Sequence, residues 1–356
     1  MEKIDLTAYL KETVVVDHHK FRDMPYIDKS RWRAHKKCGF MFQLRVTEQM
    51  QGKSVTDELT LDHSARDTGT NSHLVIAYFF KAIIDNDLLE RFMKLPIDDT
   101  FKGSLLYYTF FDICNQILPE KLRSDQFQQR IISNFCEYQK DYWNYLSREL
   151  GHTKAMFKKF FIPIYIELYI ENFDMMLFGT MDAMYNNPLH GTDTKWGKKK
   201  YTIIDYKTGY VSTMVTRGRK MPDGSYKPDF TSEDRQELHF YAWLVTHAQV
   251  KREIVNATTM EKEIVNVPLF PDLKEYTDVI ANMIFLGEDR PIYLPPMTMN
   301  EKSMNTVFKD ITIMRETWVN GGNYPRVDDS QIDYVCKSCD YVEYCNGLRL
   351  KEAMGQ

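Results

Sequence analysis

The sequence predicts a mixed α/β protein, on three observations. Residues from about 73 to 160 carry a helical pattern with few glycines. Near residue 161 the pattern changes to alternating apolar segments parted by turns. Helix then returns at 232–248 and at about 300–318, before the chain ends in a cysteine cluster. No linker or low-complexity stretch divides the 356 residues, so one domain over 1–356 is expected, with 74–160 as a helical insertion.

Taken in order, residues 1–50 read as mostly helical after a short apolar "TVVV", and Ser30 is a candidate helix cap. "HLVIAYFFKAIIDNDLLERFMKL" and "SDQFQQRIISNFCEYQKDYWNYLSREL" space apolar residues by three and four, the period of a helix face. "FIPIYIELYI", "MMLFGTMDAMY" and "YTIIDYKTG" read as three strands, with "ENFD" as a turn and "NNPLHGTDTKWGKKK" as a loop, which makes an antiparallel meander. Residues 210–232 read as a long loop. "SEDRQELHFYAWLVTHA" reads as a helix capped by Ser232, and "REIVNATT" and "KEIVNVPLF" as β-like stretches.

The bulk numbers exclude several classes. An apolar fraction of 43% and a charged fraction of 27% are those of a folded globular protein. No apolar run reaches the length of a membrane span, and no signal peptide is expected. Six cysteines are too few for a disulfide scaffold; they fit a reducing compartment, hence a cytoplasmic location, in the host cytoplasm if the chain is phage-encoded. Net charge is −4, yet residues 195–220 hold eight Lys/Arg against one acid. Such a stripe can follow a phosphate backbone on an otherwise acidic protein. It can equally be a solvated loop. "GTDTKWGKKK" lacks the register of a phosphate-binding loop, so an ATP-driven motor would have to be a separate chain.

The chemistry concentrates on the meander. In "YTIIDYKTG", Asp205 and Lys207 share one strand face and Tyr206 takes the other, because side chains alternate with period two. Asp182, in "FGTMDAMY", is a second acid flanked by apolar residues on the preceding strand. Two carboxylates on adjacent half-buried strands repel unless a cation lies between them. A salt-bridged surface pair is one answer; Mg²⁺ or Mn²⁺ with oxygen ligands is the other. Glu167 and Glu171, one strand earlier, read as supporting or solvated acids.

These elements resemble the PD-(D/E)XK nucleases, in their RecB-like exonuclease branch. That branch pairs a hydrophobic-D-x-K strand with a following Q-L-x-x-Y-A helix and an upstream G-T-x-x-H. Gly69, Thr70 and His73 supply the last, and "ELHFYAWL" supplies the helix, with Glu237 in the usual Gln slot and Gln236 just before it. The resemblance implies a restriction-endonuclease-like fold, a central mixed sheet flanked by helices. It implies Mg²⁺ or Mn²⁺ held by His73, Asp182, Asp205 and the carbonyl of Tyr206. It assigns catalysis to Asp182, Asp205, Lys207, Glu237 and Tyr241. It implies DNA, through its ends or single strands, as substrate, with Lys198, Lys199, Lys200, Arg217, Arg219, Lys220 and Gln236 as contacts. A helicase or recombinase is the partner chain such a nuclease would join. A nucleic-acid-binding module without cleavage is the alternative on the same fold.

"VCKSCDYVEYCNG" sets Cys336, Cys339 and Cys345 at C-x2-C-x5-C, a spacing that suits a metal rather than a redox pair. Cys114 and Cys136 lie in helical patterns, where cysteine is usually a small buried apolar residue. Cys38 resembles the lone N-terminal cysteine that, in iron–sulfur members of the branch, completes a [4Fe-4S] cluster, making 320–356 a cluster-binding segment. Structural Zn²⁺ on the same four thiolates is the rival.

Overall fold

The computed structural model describes residues 26–51, 64–209, 219–220, 226–227, 229–255, 262–294, 296–321, 324–327, 332–336, 339 and 341–353. The "TVVV" segment and Arg217 lie outside the described residues. The helices are α1 (Lys29–Lys37), α2 (Gly39–Gln51), α3 (Ser64–Asp85), α4 (Leu89–Met93), α5 (Leu105–Ile117), α6 (Gln126–Glu149), α7 (Lys154–Phe160), α8 (Ser232–Thr246), α9 (Glu301–Val319), α10 (Ile332–Val335) and α11 (Val342–Ala353). The strands that matter for the site are β1 (Tyr165–Asn172), β2 (Leu177–Asn186), β3 (Tyr201–Lys207) and, later in the chain, β8 (Val279–Phe285). Short strands β4 (Arg219–Lys220) and β5 (Tyr226–Lys227) pair with each other, as do β6 (Gln249–Val255) and β7 (Lys262–Pro268). Strands β9 (Ile292–Tyr293) and β10 (Met297–Thr298) both pair with β8.

The expected meander is present: β1–β2 and β2–β3 pair antiparallel. The sheet then extends to β8, which runs parallel to β3 from Tyr201↔Val279 to Lys207↔Phe285. That makes a six-stranded mixed sheet with helices on both faces, the expected fold class. The sequence reading did not include β8, since "VIANMIF" is apolar at every position but Asn282. That is the mark of a strand buried on both faces, and it lacks the period-two signal.

Two cores cover the two faces. Ile203, Met184 and Met283 pack with α1, α2, α8 and α9. Ile204, Tyr206, Tyr185 and Ile284 pack with the helical block from α3 to α7. The alternation along β3 therefore holds, and it turns Asp205 and Lys207 toward α8. Two caps differ from expectation by residue. Asp28, not Ser30, accepts the Arg31 amide at 2.7 Å and starts α1. Thr231, not Ser232, caps α8, in a capping box with Asp234. In each case an equally good cap residue stands one or two positions earlier, and the chain takes the earlier one.

Candidate active site and metal centre

Three acids form a row across the sheet. The β2–β3 register ends at Ala183↔Ile204, and one further step sets Asp182 opposite Asp205. The β1–β2 register runs Ile166↔Ala183, then Leu168↔Met181, so Glu167 stands opposite Asp182. Glu167 has φ +46°, the left-handed region that non-glycine residues seldom adopt in a strand. Strain of that kind is retained where the surrounding fold imposes it, often at a functional site. Asp182 and Asp205 are buried, at 8% and 6% exposure. Asp182 Oδ2 also accepts the Tyr206 amide at 2.6 Å, which fixes its rotamer against β3.

His73 reaches this row from α3. Its Nδ1 lies 2.9 Å from Glu167 Oε1 and 3.7 Å from Asp182 Oδ1. The Gly-Thr before it has a physical role: a Cβ on Gly69 would sit 3.3 Å from Thr208 Oγ1, so glycine lets α3 come down on the end of β3. Donor atoms of His73, Glu167 and Asp182 all lie within 4.8 Å of one another, a group among the described residues that could hold a metal ion. Glu167, read from the sequence as a supporting or solvated acid, stands with these donor atoms. The ladder position and the left-handed turn bring it in.

The electrostatics match a cation site. Burial pulls the His73 imidazole down, but Asp182 and Glu167 outweigh it and lift it to about 9. Asp182 is pushed up to about 7, first by burial, then by repulsion from Asp205 and Glu167 acting against His73. Crowded acids and an imidazole here hold protons that a metal would displace.

Asp205 is not in that group of ligand atoms. Lys29 Nζ lies 3.0 Å from its Oδ1 and Lys207 Nζ 2.7 Å from its Oδ2. Burial would raise its carboxyl, yet Lys207 and Lys29 hold it well below the usual carboxylate range. Glu237, fully buried on α8, pairs with Lys207, with Lys29 at 2.8 Å and with Arg33 at 3.0 Å. In the usual Gln slot, then, stands a counter-ion for three cations. Tyr241, one turn on, lies under Lys29, whose ammonium is 4.8 Å from its ring centroid. Gln236 is half-exposed beside Glu237. Lys29 and Arg33 did not enter the sequence reading: they lie 176 and 204 residues from their acidic partners, and no motif surrounds them.

The basic residues spread widely. Lys199 bonds the Thr277 carbonyl and Lys200 lies 3.5 Å from Asp272, both at the start of β3. Lys207 is at its other end, about 20 Å away at ~3.3 Å per residue. Lys198 is exposed, and Arg219 and Lys220 form β4.

At the C-terminal end of α1, Cys38 meets the cysteine cluster. Cys38, Cys336, Cys339 and Cys345 line one pocket, with Arg326 and Arg349 also on its wall. Burial pushes the Cys345 thiol up to about 11, and Cys339, Cys38 and Cys336 add to the rise. Cys114 and Cys136 instead lie buried in the helical block, 3.7 Å apart, as expected of apolar cysteines.

A family model described as the PD-(D/E)XK nuclease superfamily matches residues 29–346. Comparisons with curated proteins and with solved structures each returned no match. The matched span starts at Lys29, takes in the whole acidic row and its lysines, and ends just past Cys345; the chain belongs to the PD-(D/E)XK nuclease superfamily.

Proposed function

We propose that this protein is a Mg²⁺- or Mn²⁺-dependent deoxyribonuclease that degrades DNA from its ends. The observation that carries the reading is the row Glu167–Asp182–Asp205, with His73 at one side and Lys207 at the other. His73, Glu167 and Asp182 fit a divalent ion by donor type and by the spacing of their ligand atoms. Such an ion supplies Lewis acidity toward a phosphate oxygen and a nucleophile at neutral pH. The chain's own residues do the rest. Asp205 and Glu237 hold the Lys207 ammonium at the end of β3, where it orients the attacking water and donates to the phosphate as negative charge develops. Tyr241 and the Tyr206 backbone close the site beside these groups, and Gln236 with the basic residues of 198–200 and 217–220 follows the strand backbone.

The four cysteines support a [4Fe-4S] cluster that ties Cys38 to the C-terminal segment 320–356, with Zn²⁺ as the other ion the same thiols would hold. Closing a loop of about 300 residues stabilises the fold and is a structural task. Among the described residues no helix is long and apolar enough to cross a membrane. A reducing cytoplasmic setting, with a helicase or recombinase supplying DNA ends, suits this chemistry.

The test is digestion of end-labelled linear DNA against closed-circular DNA, in Mn²⁺ and in EDTA. Linear DNA should be degraded in Mn²⁺ alone and the circle left intact. A circle cut as fast as the linear form would refute the end-dependence. Undiminished cleavage by Lys207→Ala would refute the residue assignment.

A further inference from the structure

The turn after β8 lies against the Lys207 end of β3. Lys207 pairs with Phe285, and a Cβ on Gly287 would lie 2.4 Å from the Gly209 carbonyl. Arg290 stands three residues further on, so its backbone is at most about 11 Å from that of Gly287. A second turn, 98–104, meets the first, where Lys102 Nζ donates to the Asp289 carbonyl at 3.4 Å. Helix α6 fixes both turns. Its buried Asn134 donates to the Leu286 carbonyl at 2.8 Å and to the Glu288 carbonyl at 2.5 Å. Its buried Glu137 accepts the Lys102 amide at 3.1 Å and is balanced by Lys140 at 2.7 Å.

Together the two turns present an aromatic ring among cations. Phe101 keeps 41% of its surface. The Arg290 guanidinium lies 4.6 Å from its ring centroid and the Lys102 ammonium 5.2 Å. Arg130 is a third cation, 3.8 Å from the solvated carboxylate of Asp289. Among the described residues, Lys102 and Arg290 form no ion pair. Burial holds the Lys102 ammonium below its ordinary pKa, and repulsion from Arg130 and Arg290 adds to the fall against Glu137 and Asp289. Three cations against one exposed acid make a surface that calls for an anion.

We propose that Phe101, Lys102, Arg130 and Arg290 form a binding subsite for single-stranded DNA beside the catalytic end of the sheet. A base stacks on the Phe101 ring and the Arg290 guanidinium, a contact of about 1–3 kcal/mol, and the flanking phosphates meet the cations. A duplex keeps its base faces stacked inside, so the ring selects a single strand. The 11 Å step from Gly287 is about three stacked nucleotides at ~3.4 Å each, so the strand is held a few nucleotides from Lys207. The subsite rests on the ring, the cations and their rigid support. Its meaning as a substrate track rests on the nuclease reading.

The experiment is fluorescence anisotropy of the full-length protein with no divalent ion added. The probes are a labelled oligothymidylate of about 20 nucleotides and a blunt duplex of the same length, from about 50 to 200 mM salt. Phe101→Ala should weaken single-strand binding at least about fivefold, the loss of one stacked base, and leave duplex binding within about twofold. Phe101→Tyr should restore it. Arg290→Gln and Lys102→Gln should each lower the slope of log K against log salt by about 0.7. Lys302→Gln, exposed on α9, should change neither quantity. Phe101 and Arg290 are both exposed, so their variants should melt with the wild type. If Phe101→Ala does not fold, Arg290→Gln and its salt slope decide. Wild-type affinity in Phe101→Ala, an unchanged slope in Arg290→Gln, or equal losses on both DNAs would each overturn the proposal and leave the patch to an acidic protein. Phe101-dependent binding in a protein that cleaves no DNA in Mn²⁺ would instead refute the nuclease reading and leave the subsite standing. Cleavage with binding indifferent to Phe101 would do the reverse.

Discussion

Replacing Glu237 by Gln tests whether the buried carboxylate holds the lysines in place. The substitution keeps volume and hydrogen-bonding capacity and removes only charge. Glu237 has no exposed surface, and three cations converge on it. Removing one partner of a buried ion pair costs about 3–5 kcal/mol. Here Lys29, Arg33 and Lys207 keep 23%, 33% and 18% of their side-chain surface. They can recover part of their hydration, which lowers the expected loss to about 2–3 kcal/mol. Each kcal/mol moves the melting temperature by roughly 2–4 °C in a domain of 150–250 residues, and by less in a longer chain. A fall of about 3–4 °C at pH 7, read by thermal melting of metal-free protein, is the expected result. The pH dependence fixes the sign. Burial would raise the Glu237 carboxyl, but Lys29, Lys207 and Arg33 depress it below its ordinary value. A depressed carboxyl stabilises above its unfolded pKa and loses that contribution as pH falls through its folded pKa. The gap between wild type and variant should therefore close on acidification. Equal melting temperatures at pH 7, or a gap that widens in acid, would show that Glu237 is not the counter-ion described. Cleavage should fall without vanishing, since Lys207 loses one of the two carboxylates that hold it and keeps Asp205 at 2.7 Å.

Other expectations follow from the same geometry. Metal must displace the proton that His73 holds up to about 9 and, lower down, the one Asp182 holds up to about 7. Mn²⁺ affinity measured by calorimetry should rise about tenfold per pH unit between pH 7 and 9, and more steeply below 7; a flat profile would contradict it. Asp182→Asn should abolish cleavage, yet melt a few degrees higher than metal-free wild type at pH 8. The carboxyl has a raised folded pKa, so its ionisation opposes folding above its unfolded pKa. A lower melting temperature would show that the repulsion is not present. Gly287→Ala should destabilise by about 1–3 kcal/mol and slow cleavage, because a Cβ there would lie 2.4 Å from the Gly209 carbonyl. The ends of β3 and β8 must then part where the Leu286 amide holds the Lys207 carbonyl at 2.8 Å, and a variant matching wild type on both counts would exclude that strain.

What could be seen beforehand follows from the range of each interaction. Asp205, Lys207 and Tyr206 were placed on their faces by local alternation, and the structure keeps them there. The helical block and the meander were legible because their periodicities are long and regular. Strand β8 was not, because a seven-residue run that is apolar but for Asn282 has no period to read. Nor was Lys29, since its meaning depends on a contact 176 residues away and on the orientation of α1. Glu167 reads as an acid on the strand before Asp182, but its place opposite Asp182 comes from register with β2 and a left-handed backbone, neither of which is written in the local pattern.

Helix α1 joins the two candidate metal sites. Its first residue, Lys29, enters the acidic cluster, and Cys38, directly after its last, lines the cysteine pocket. A nine-residue helix is about 13 Å long and stiff, so displacing one end displaces the other. An ion held by the four thiols would therefore also fix the register of Lys29 and Arg33 on Glu237. Cys38→Ala should expose this link. Besides losing any metal bound at the pocket, it should weaken the α1 anchor and loosen Lys29 and Arg33 on Glu237, read as a change in Mn²⁺ affinity at the acidic row. If Cys38→Ala loses the thiol-bound metal while Mn²⁺ binding at the acidic row is unchanged, the two sites are independent and α1 is held by its core packing and its ion pairs without help from the pocket.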